Sequence, residues 1–221
     1  MTQPFNPAHF PHPQFPHEVM NALQNQRRNA AYIAIQSSIE NLRNNPPPAD
    51  APTLLMQAVI VPGGETPDGL LIAAAATPWF EIMRLIKNDP NLIYKIDWRK
   101  WEELVAAAYT RDGFDEVILT PRSGDHGRDI IATKHGVGSI KIFDQVKAYS
   151  PGHIVKADEV RAMSGVIAGA GNVSKGIITT TSTFAPGIEN DPFLKPLIPF
   201  RIELKPRDVL LEWLGSLLPT R

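Results

Sequence analysis

Apolar and polar positions follow two different periods along the second half of the chain. In residues 98–110 the apolar side chains recur every three to four positions, which is typical of an amphipathic helix. Short apolar runs bounded by Gly, Asp and Ser predict strands. The predicted elements are helix 98–110, strand 115–120, strand 129–133, strand 140–148, helix 156–169, strand 176–181, strand 200–204 and helix 207–218. This order predicts an α/β fold.

The first 94 residues show weaker patterns. Residues 1–52 comprise an arm rich in Pro, His and Phe, a helical stretch and the linker NNPPPADAP, where consecutive prolines favour an extended conformation. Residues 53–94 predict a small ordered unit, with TLLMQAVIV (53–61) as a strand and a short helix opened by Thr77 as its N-cap. Residues 95–221 then form the main domain.

Composition narrows the class of protein. The 221 residues include no cysteine, which excludes disulfides and thiolate metal sites and favours the cytoplasm. The first 20 residues lack the features of a signal peptide, and the longest apolar run, LLIAAAA, is far short of the ~20 residues that span a bilayer. A net charge of −1 argues against strong nonspecific binding to nucleic acid.

The segments SGDHGRDII and IKIFDQVKAY contain the candidate chemistry. Asp129 opens one short strand, and after a Gly-rich turn the next strand carries Gln145 and Lys147. Side chains two apart on a strand share a face, and the hairpin can bring Asp129 beside them. A carboxylate and an amide oxygen suit Mg²⁺. The ammonium group can orient an attacking water or offset charge on a phosphate.

Each of these residues also has a structural interpretation. Asp is common where a loop ends at a strand, so Asp129 could serve only there. Gln145 and Lys147 could be exposed polar positions on an edge strand, although the apolar content of their strand predicts burial. Asp144 points to the opposite face from Gln145 and is left out of the site.

A fourth candidate comes from the helix 98–110. At ~100° per residue, Trp98, Leu104, Val105 and their neighbours form the apolar face. Glu102 lies at the edge of that face and Glu103 points toward solvent. An acid that reaches a site on the underlying sheet must border the buried face, so Glu102 is preferred. The alternative is a solvated helix carboxylate.

These motifs together resemble the Mrr-type branch of the PD-(D/E)xK nucleases, in which Gln replaces the second acid. The resemblance spans residues 98–218 and includes WRKWEELVAAAY, DGFDEVILT, SGDHGRD, QVK and TTTSTF. It implies a restriction-endonuclease-like core of order α-β-β-β-α-β, with a mixed central sheet flanked by helices and, here, an N-terminal extension. The family's Phe-Glu pair, matched by Trp101-Glu102, also favours Glu102.

The resemblance implies a Mg²⁺-dependent endonuclease that acts on DNA, often foreign or modified, with Mn²⁺ able to replace Mg²⁺. Glu102, Asp129 and Gln145 would hold the metal, and Lys147 would complete the catalytic set. In the intervening loop, Ser123, Gly124 and Arg128 are candidates for phosphate contact, and Asp125 is a candidate for loop support. Arg128 could equally be an ordinary surface residue.

Double-strand cleavage favours a homodimer, whose two-fold axis can match that of DNA. Two other functions remain open. One is a structure-selective nuclease like a Holliday-junction resolvase, and the other is a non-catalytic DNA-binding module on a nuclease core.

Overall fold

The structure, a computed structural model, describes residues 51–121 and 127–219. Numbered along these residues, the helices are α1 (Ala51–Met56), α2 (Thr77–Asn88), α3 (Trp98–Arg111), α4 (Ala157–Ala170) and α5 (Arg207–Ser216). The strands are β1 (Ile60–Thr66), β2 (Gly69–Ala75), β3 (Glu116–Leu119), β4 (Ile130–Lys134), β5 (Ile140–Lys147), β6 (Ile154–Val155), β7 (Lys175–Thr180), β8 (Thr183–Phe184) and β9 (Ile202–Lys205). Short 3-10 helices cover Pro90–Lys95 and Ile188–Asn190.

A mixed seven-stranded sheet forms the centre, in the order β1-β2-β3-β4-β5-β7-β9. The first five strands pair antiparallel, and β7 and β9 join β5 in parallel. The crossover from β5 to β7 passes through α4, since parallel neighbours need such a connection. Strands β6 and β8 form a separate two-stranded sheet.

The sheet separates two apolar cores. On one face, helices α2, α3 and α5 cover alternate residues such as Ile130, Ala132 and Val146. On the other, α4 covers Ile131 and Phe143. The alternation follows from the two-residue period of a strand and explains why β4 and β5 are apolar on both faces.

The predicted order α-β-β-β-α-β, with its added strand and helix, is confirmed from α3 to α5, and boundaries agree within about two residues. Helix α4 ends at Gly171, which takes a left-handed conformation with φ of 67°, as is typical of a glycine C-cap.

Two local predictions in the N-terminal part are wrong. Residues 53–56 belong to helix α1 rather than to a strand, and the strand begins only at Ile60. Thr77 is the first residue of α2 and not its cap. Ala76 is the N-cap instead. Its backbone is extended, and its carbonyl oxygen accepts a hydrogen bond from the Trp79 N–H.

The N-terminal part also contributes to the central sheet. Strand β2 pairs antiparallel with β3, with Leu70 opposite Leu119 and Leu71 opposite Ile118. The sheet therefore contains strands from both sides of the domain boundary predicted between residues 94 and 95. The boundary itself stays a prediction. Residues 1–50, with the predicted arm, helix and most of the linker, lie outside the described part.

Within residues 51–121 and 127–219, no helix combines the length and apolar character needed to cross a membrane.

Candidate functional site

The β4–β5 hairpin brings Asp129 beside Gln145 and Lys147. Its register places Asp129 opposite Gln145, because the next pair along the ladder is Ile130 with Asp144. The backbone N–H of Val146 donates to Oδ2 of Asp129 at 2.7 Å. Asp129 is 8% exposed, and its carboxylate is bonded to β5 rather than extended into solvent.

Strand β5 lies inside the sheet, between β4 and β7, which excludes the edge-strand interpretation of Gln145 and Lys147. Hydrogen bonds hold the backbone of Lys147 in place. Its carbonyl accepts from the Thr180 hydroxyl at 2.8 Å and from the Thr181 N–H at 3.2 Å. Thr180, the last residue of β7, and Thr181 thus fix the end of β5, where Lys147 projects a side chain that is 23% exposed.

Glu102 is buried on α3, with 4% of its surface exposed, so it is not a solvated helix carboxylate. Arg99 donates to its carboxylate and also to the Thr120 carbonyl at 3.0 Å. The Thr120 hydroxyl in turn lies 3.1 Å from the Asp129 carbonyl. These contacts tie Glu102 to the β3–β4 end of the sheet, where Asp129 directly precedes β4.

Helix α3 packs on the sheet face that contains Val146, and Gln145 and Lys147 belong to the opposite face, so the role of Glu102 alongside the other three residues stays a prediction. Glu103 pairs with Lys100 at 2.7 Å and its side chain is 22% exposed. The predicted helix phase agrees with this difference. Trp98 departs from it, being 50% exposed at the first turn of α3.

The predicted phosphate loop is only partly described. Ser123, Gly124 and Asp125 lie outside the described residues. Arg128 follows them, and its guanidinium sits 4.6 Å from the centre of the Phe143 ring and 3.1 Å from Asp68 in the β1–β2 turn. The structure therefore shows Arg128 engaged with protein groups, and its role with phosphate stays a prediction.

Sequence reasoning missed two residues next to Lys147. Glu159, in the first turn of α4, has its Oε1 3.8 Å from Lys147 Nζ. The Tyr149 hydroxyl donates to the same oxygen. Tyr149 could have been found, because it follows Lys147 by two residues on an extended segment, whereas the position of Glu159 depends on how α4 packs.

The groups around Glu159 lower its pKa by more than burial raises it. Burial alone would raise the pKa of Glu159, but the Lys156 N–H, the Tyr149 hydroxyl and the Lys147 and His153 side chains hold it below its ordinary value. Burial and the Glu159 carboxylate raise the pKa of Tyr149 to about 12. At neutral pH the pair therefore consists of a carboxylate acceptor and a phenol donor.

The opposite face of β5 is anchored by a buried carboxyl group. Oδ2 of Asp144 accepts from the Tyr109 and Thr179 hydroxyls, each at 2.8 Å. Burial raises the pKa of Asp144, although the charge of Lys205 and these hydroxyls act against the rise. Burial also lowers the pKa of Lys205, whose Nζ lies 3.7 Å from the centre of the Trp213 ring. Strand β5 is thus fixed from the face opposite Gln145 and Lys147.

The donor types predicted from the sequence have the chemistry of a site for a hard divalent cation. Among residues 51–121 and 127–219, no three His, Cys, Asp or Glu side chains group closely enough to hold a metal ion. The expected set consists of the Asp129 and Glu102 carboxylates and the Gln145 amide oxygen, so its third member is of another residue type. All three donors are oxygens, which Mg²⁺ prefers.

Comparison with solved structures finds distant similarities. The MspJI restriction endonuclease, in complex with a 27-mer oligonucleotide, has a TM-score of 0.38 and 15% identity over 61% of this chain and 30% of that chain. The DNA modification-dependent restriction endonuclease AspBHI has a TM-score of 0.37 and 18% identity over 65% of this chain and 36% of that chain. This chain thus spans about a third of the length of either enzyme.

No curated protein matches the sequence. A family model described as restriction endonuclease, Mrr_cat, matches residues 93–214. That match starts just before α3, ends within α5 and includes Glu102, Asp129, Gln145 and Lys147. It confirms the resemblance and the restriction-endonuclease-like core drawn from the motifs. Because it covers more than half of the 221 residues, the chain belongs to the Mrr-type restriction endonuclease family.

Proposed function

We propose that the protein is a Mg²⁺-dependent endonuclease that hydrolyses phosphodiester bonds in DNA and acts on foreign or modified DNA. One observation carries this proposal. The Asp129 carboxylate is bonded to the backbone of β5 at Val146, directly between Gln145 and Lys147. This contact supports an arrangement in which an acid, an amide oxygen and an ammonium group act together at one end of a rigid sheet.

Asp129, Gln145 and Glu102 would hold the metal ion. When bound, Mg²⁺ would offset the negative charge that develops on the phosphate during hydrolysis. Mn²⁺ would substitute, because it accepts the same oxygen ligands.

Lys147 would act on the substrate. Its ammonium group would donate to a phosphate oxygen or orient the attacking water. Thr180 and Thr181 support this role by holding the Lys147 carbonyl, which fixes where the side chain leaves the strand. Small displacements of a catalytic group are costly to rate, so backbone anchoring of this kind favours catalysis.

DNA binding would be modest and sensitive to salt. The chain has 22 basic and 23 acidic residues, so few phosphates can be neutralised outside the site. A homodimer would allow cleavage of both strands, since its two-fold axis can coincide with that of the duplex.

A cleavage assay tests the proposal. Supercoiled plasmid, methylated or hydroxymethylated duplexes and four-way junctions are incubated with the protein in Mg²⁺, Mn²⁺ or EDTA. Lys147→Ala provides the inactive control. Cleavage of duplex DNA only with a divalent ion supports the proposal, and undiminished cleavage in EDTA contradicts it. Preference for the four-way junction would indicate a resolvase-like nuclease. Binding without cleavage of any of these DNAs would indicate a non-catalytic module.

A further inference from the structure

Glu159 and Lys147 face each other across the start of α4. Oε1 of Glu159 lies 3.8 Å from Nζ of Lys147, with side chains that are 26% and 23% exposed. This separation is within the range of an ion pair but longer than a hydrogen bond. The carboxylate therefore attracts the ammonium group while the N–H bonds of Lys147 can point toward a substrate.

Glu159 is itself held from two sides. Its Oε2 accepts from the backbone N–H of Lys156 at 2.8 Å, and its Oε1 accepts from the Tyr149 hydroxyl. Tyr149 is fixed in turn. Its N–H donates to the Thr181 hydroxyl at 2.8 Å, and its ring lies 4.0 Å from that of His153. The carboxylate therefore has a defined position with respect to the end of β5.

We propose that Glu159, held by Tyr149, is a positioning residue that keeps the Lys147 ammonium group on the side of the hairpin occupied by Asp129 and Gln145. This inference rests on the proposed function in assigning Lys147 to catalysis. The contact between Glu159 and Lys147 can be measured without any DNA. A lysine side chain has many rotamers, and an oriented carboxylate reduces the freedom that Lys147 must lose to reach its position in the transition state.

Helix capping alone does not account for this arrangement. A capping box needs the third helical residue to accept from the N-cap backbone, and Oε2 of Glu159 already does so. The second oxygen is directed at Tyr149 and Lys147, which lie outside the helix. If capping were its whole role, removing the charge of Glu159 would leave Lys147 unaffected.

Glu159→Gln separates the two roles, because Gln keeps an acceptor for the backbone and removes the negative charge. Asp158→Asn is the matched control. It removes one acid from the same helical turn, where the side chain is 88% exposed and pairs with Arg161. Tyr149→Phe removes only the hydroxyl that holds Glu159.

Two measurements are made on each variant. Reaction of lysines with an amine reagent, read by mass spectrometry, gives the labelling rate at Lys147, with Lys141 on the same strand as internal reference. Steady-state cleavage gives kcat and KM. We expect Glu159→Gln to raise labelling of Lys147 by several-fold relative to Lys141. We also expect it to lower kcat by about 10-fold, or about 1.4 kcal/mol, with KM changed by less than about 2-fold.

Tyr149→Phe should change both quantities in the same direction by a smaller factor, and Asp158→Asn should change neither. Unchanged labelling of Lys147 in Glu159→Gln would overturn the inference whatever happens to kcat. A fall in kcat that Asp158→Asn reproduces would overturn it as well, because the effect would then be general electrostatics. A protein that cleaves no DNA would contradict the proposed function, while labelling would still decide whether Glu159 holds Lys147.

Discussion

The backbone N–H of Val146 donates a 2.7 Å hydrogen bond to the Asp129 carboxylate, so the acid of one strand is tied to the strand that carries Gln145 and Lys147. It joins the residue that directly precedes β4 to β5, and both strands lie in the interior of the sheet. Rigid elements position catalytic groups better than loops do, because fewer conformations are available to them.

Asp129→Asn should abolish most cleavage and leave the fold intact. Asn keeps the size of the side chain and an oxygen that can accept from Val146, but it removes the charge needed for metal binding. We expect a loss of at least ~100-fold in kcat/KM, about 2.7 kcal/mol. The free energy of unfolding in EDTA should change by less than about 1 kcal/mol.

Asp115→Asn is the control for this substitution. Asp115 also accepts from a backbone N–H, that of His135 at 2.8 Å, and it precedes β3 beside the far end of β4. Cleavage by this variant should match that of the original protein. If Asp129→Asn were inactive only because it unfolds, Asp129 would be a structural residue.

Glu102 and Glu103 should respond differently to the same substitution. Each has a basic partner three residues earlier, Arg99 or Lys100, so Gln removes a comparable ion pair from either position. Glu102 is buried and connected to the end of the sheet by Arg99 and Thr120. We expect Glu102→Gln to lower kcat/KM by at least ~10-fold, about 1.4 kcal/mol.

Glu103→Gln should change kcat/KM by less than ~3-fold, because partly exposed ion pairs contribute little. Cleavage kinetics and thermal unfolding are measured for both variants. A larger fall in kcat/KM for Glu103→Gln than for Glu102→Gln would mean that the site lies beside a different face of α3. If neither substitution changed kcat/KM, the site would consist of Asp129, Gln145 and Lys147 without Glu102.

Tyr109→Phe should destabilise the protein more at pH 7 than at pH 4. The folded-state pKa of Asp144 is raised above its ordinary value of 3.8, so stability from this group is greatest below pH 3.8 and is lost as the pH rises through the raised pKa. Tyr109 donates to the carboxyl group and thereby favours its ionised form. Without that donor the ionised form becomes still less favourable.

We expect Tyr109→Phe to cost about 1–3 kcal/mol at pH 7 and less at pH 4, as measured by urea unfolding at both values. Tyr94→Phe is the control. It removes a hydroxyl that bonds Arg207 at 3.0 Å, where no carboxyl group of raised pKa takes part. A loss for Tyr109→Phe that does not vary with pH would show that Asp144 does not change its ionisation between these values.

Gly176→Ala should destabilise the packing of α4 on β7. A Cβ added at Gly176 would lie 2.7 Å from Cγ and 2.8 Å from Sδ of Met163, and 3.0 Å from Ile167. We expect a cost of about 1–3 kcal/mol, because Met163 must move within a filled core. Gly165→Ala, at a helical position with open space around it, should instead stabilise by about 0.5–1 kcal/mol. Thermal unfolding of the two variants checks both signs.

The sequence by itself determined the order of elements from α3 to α5 and the hairpin that carries the candidate site. These features depend on local periods of 3.6 and 2 residues, which do not require knowledge of distant contacts. The same periods placed Gln145 and Lys147 on one face and distinguished Glu102 from Glu103. The prediction failed at residues 53–56, because a short apolar run has no period long enough to separate helix from strand.

Only the tertiary structure decided which distant groups meet. The pairing of β2 with β3, the bond from Arg99 to Thr120 and the contact of Glu159 with Lys147 join segments that the chain pattern treats as independent. The same holds for Asp144, which the sequence assigned only to the opposite face and which the fold buries against Tyr109 and Thr179. Such contacts depend on how helices pack on the sheet, and local periodicity does not specify which residues of two packed elements lie opposite each other.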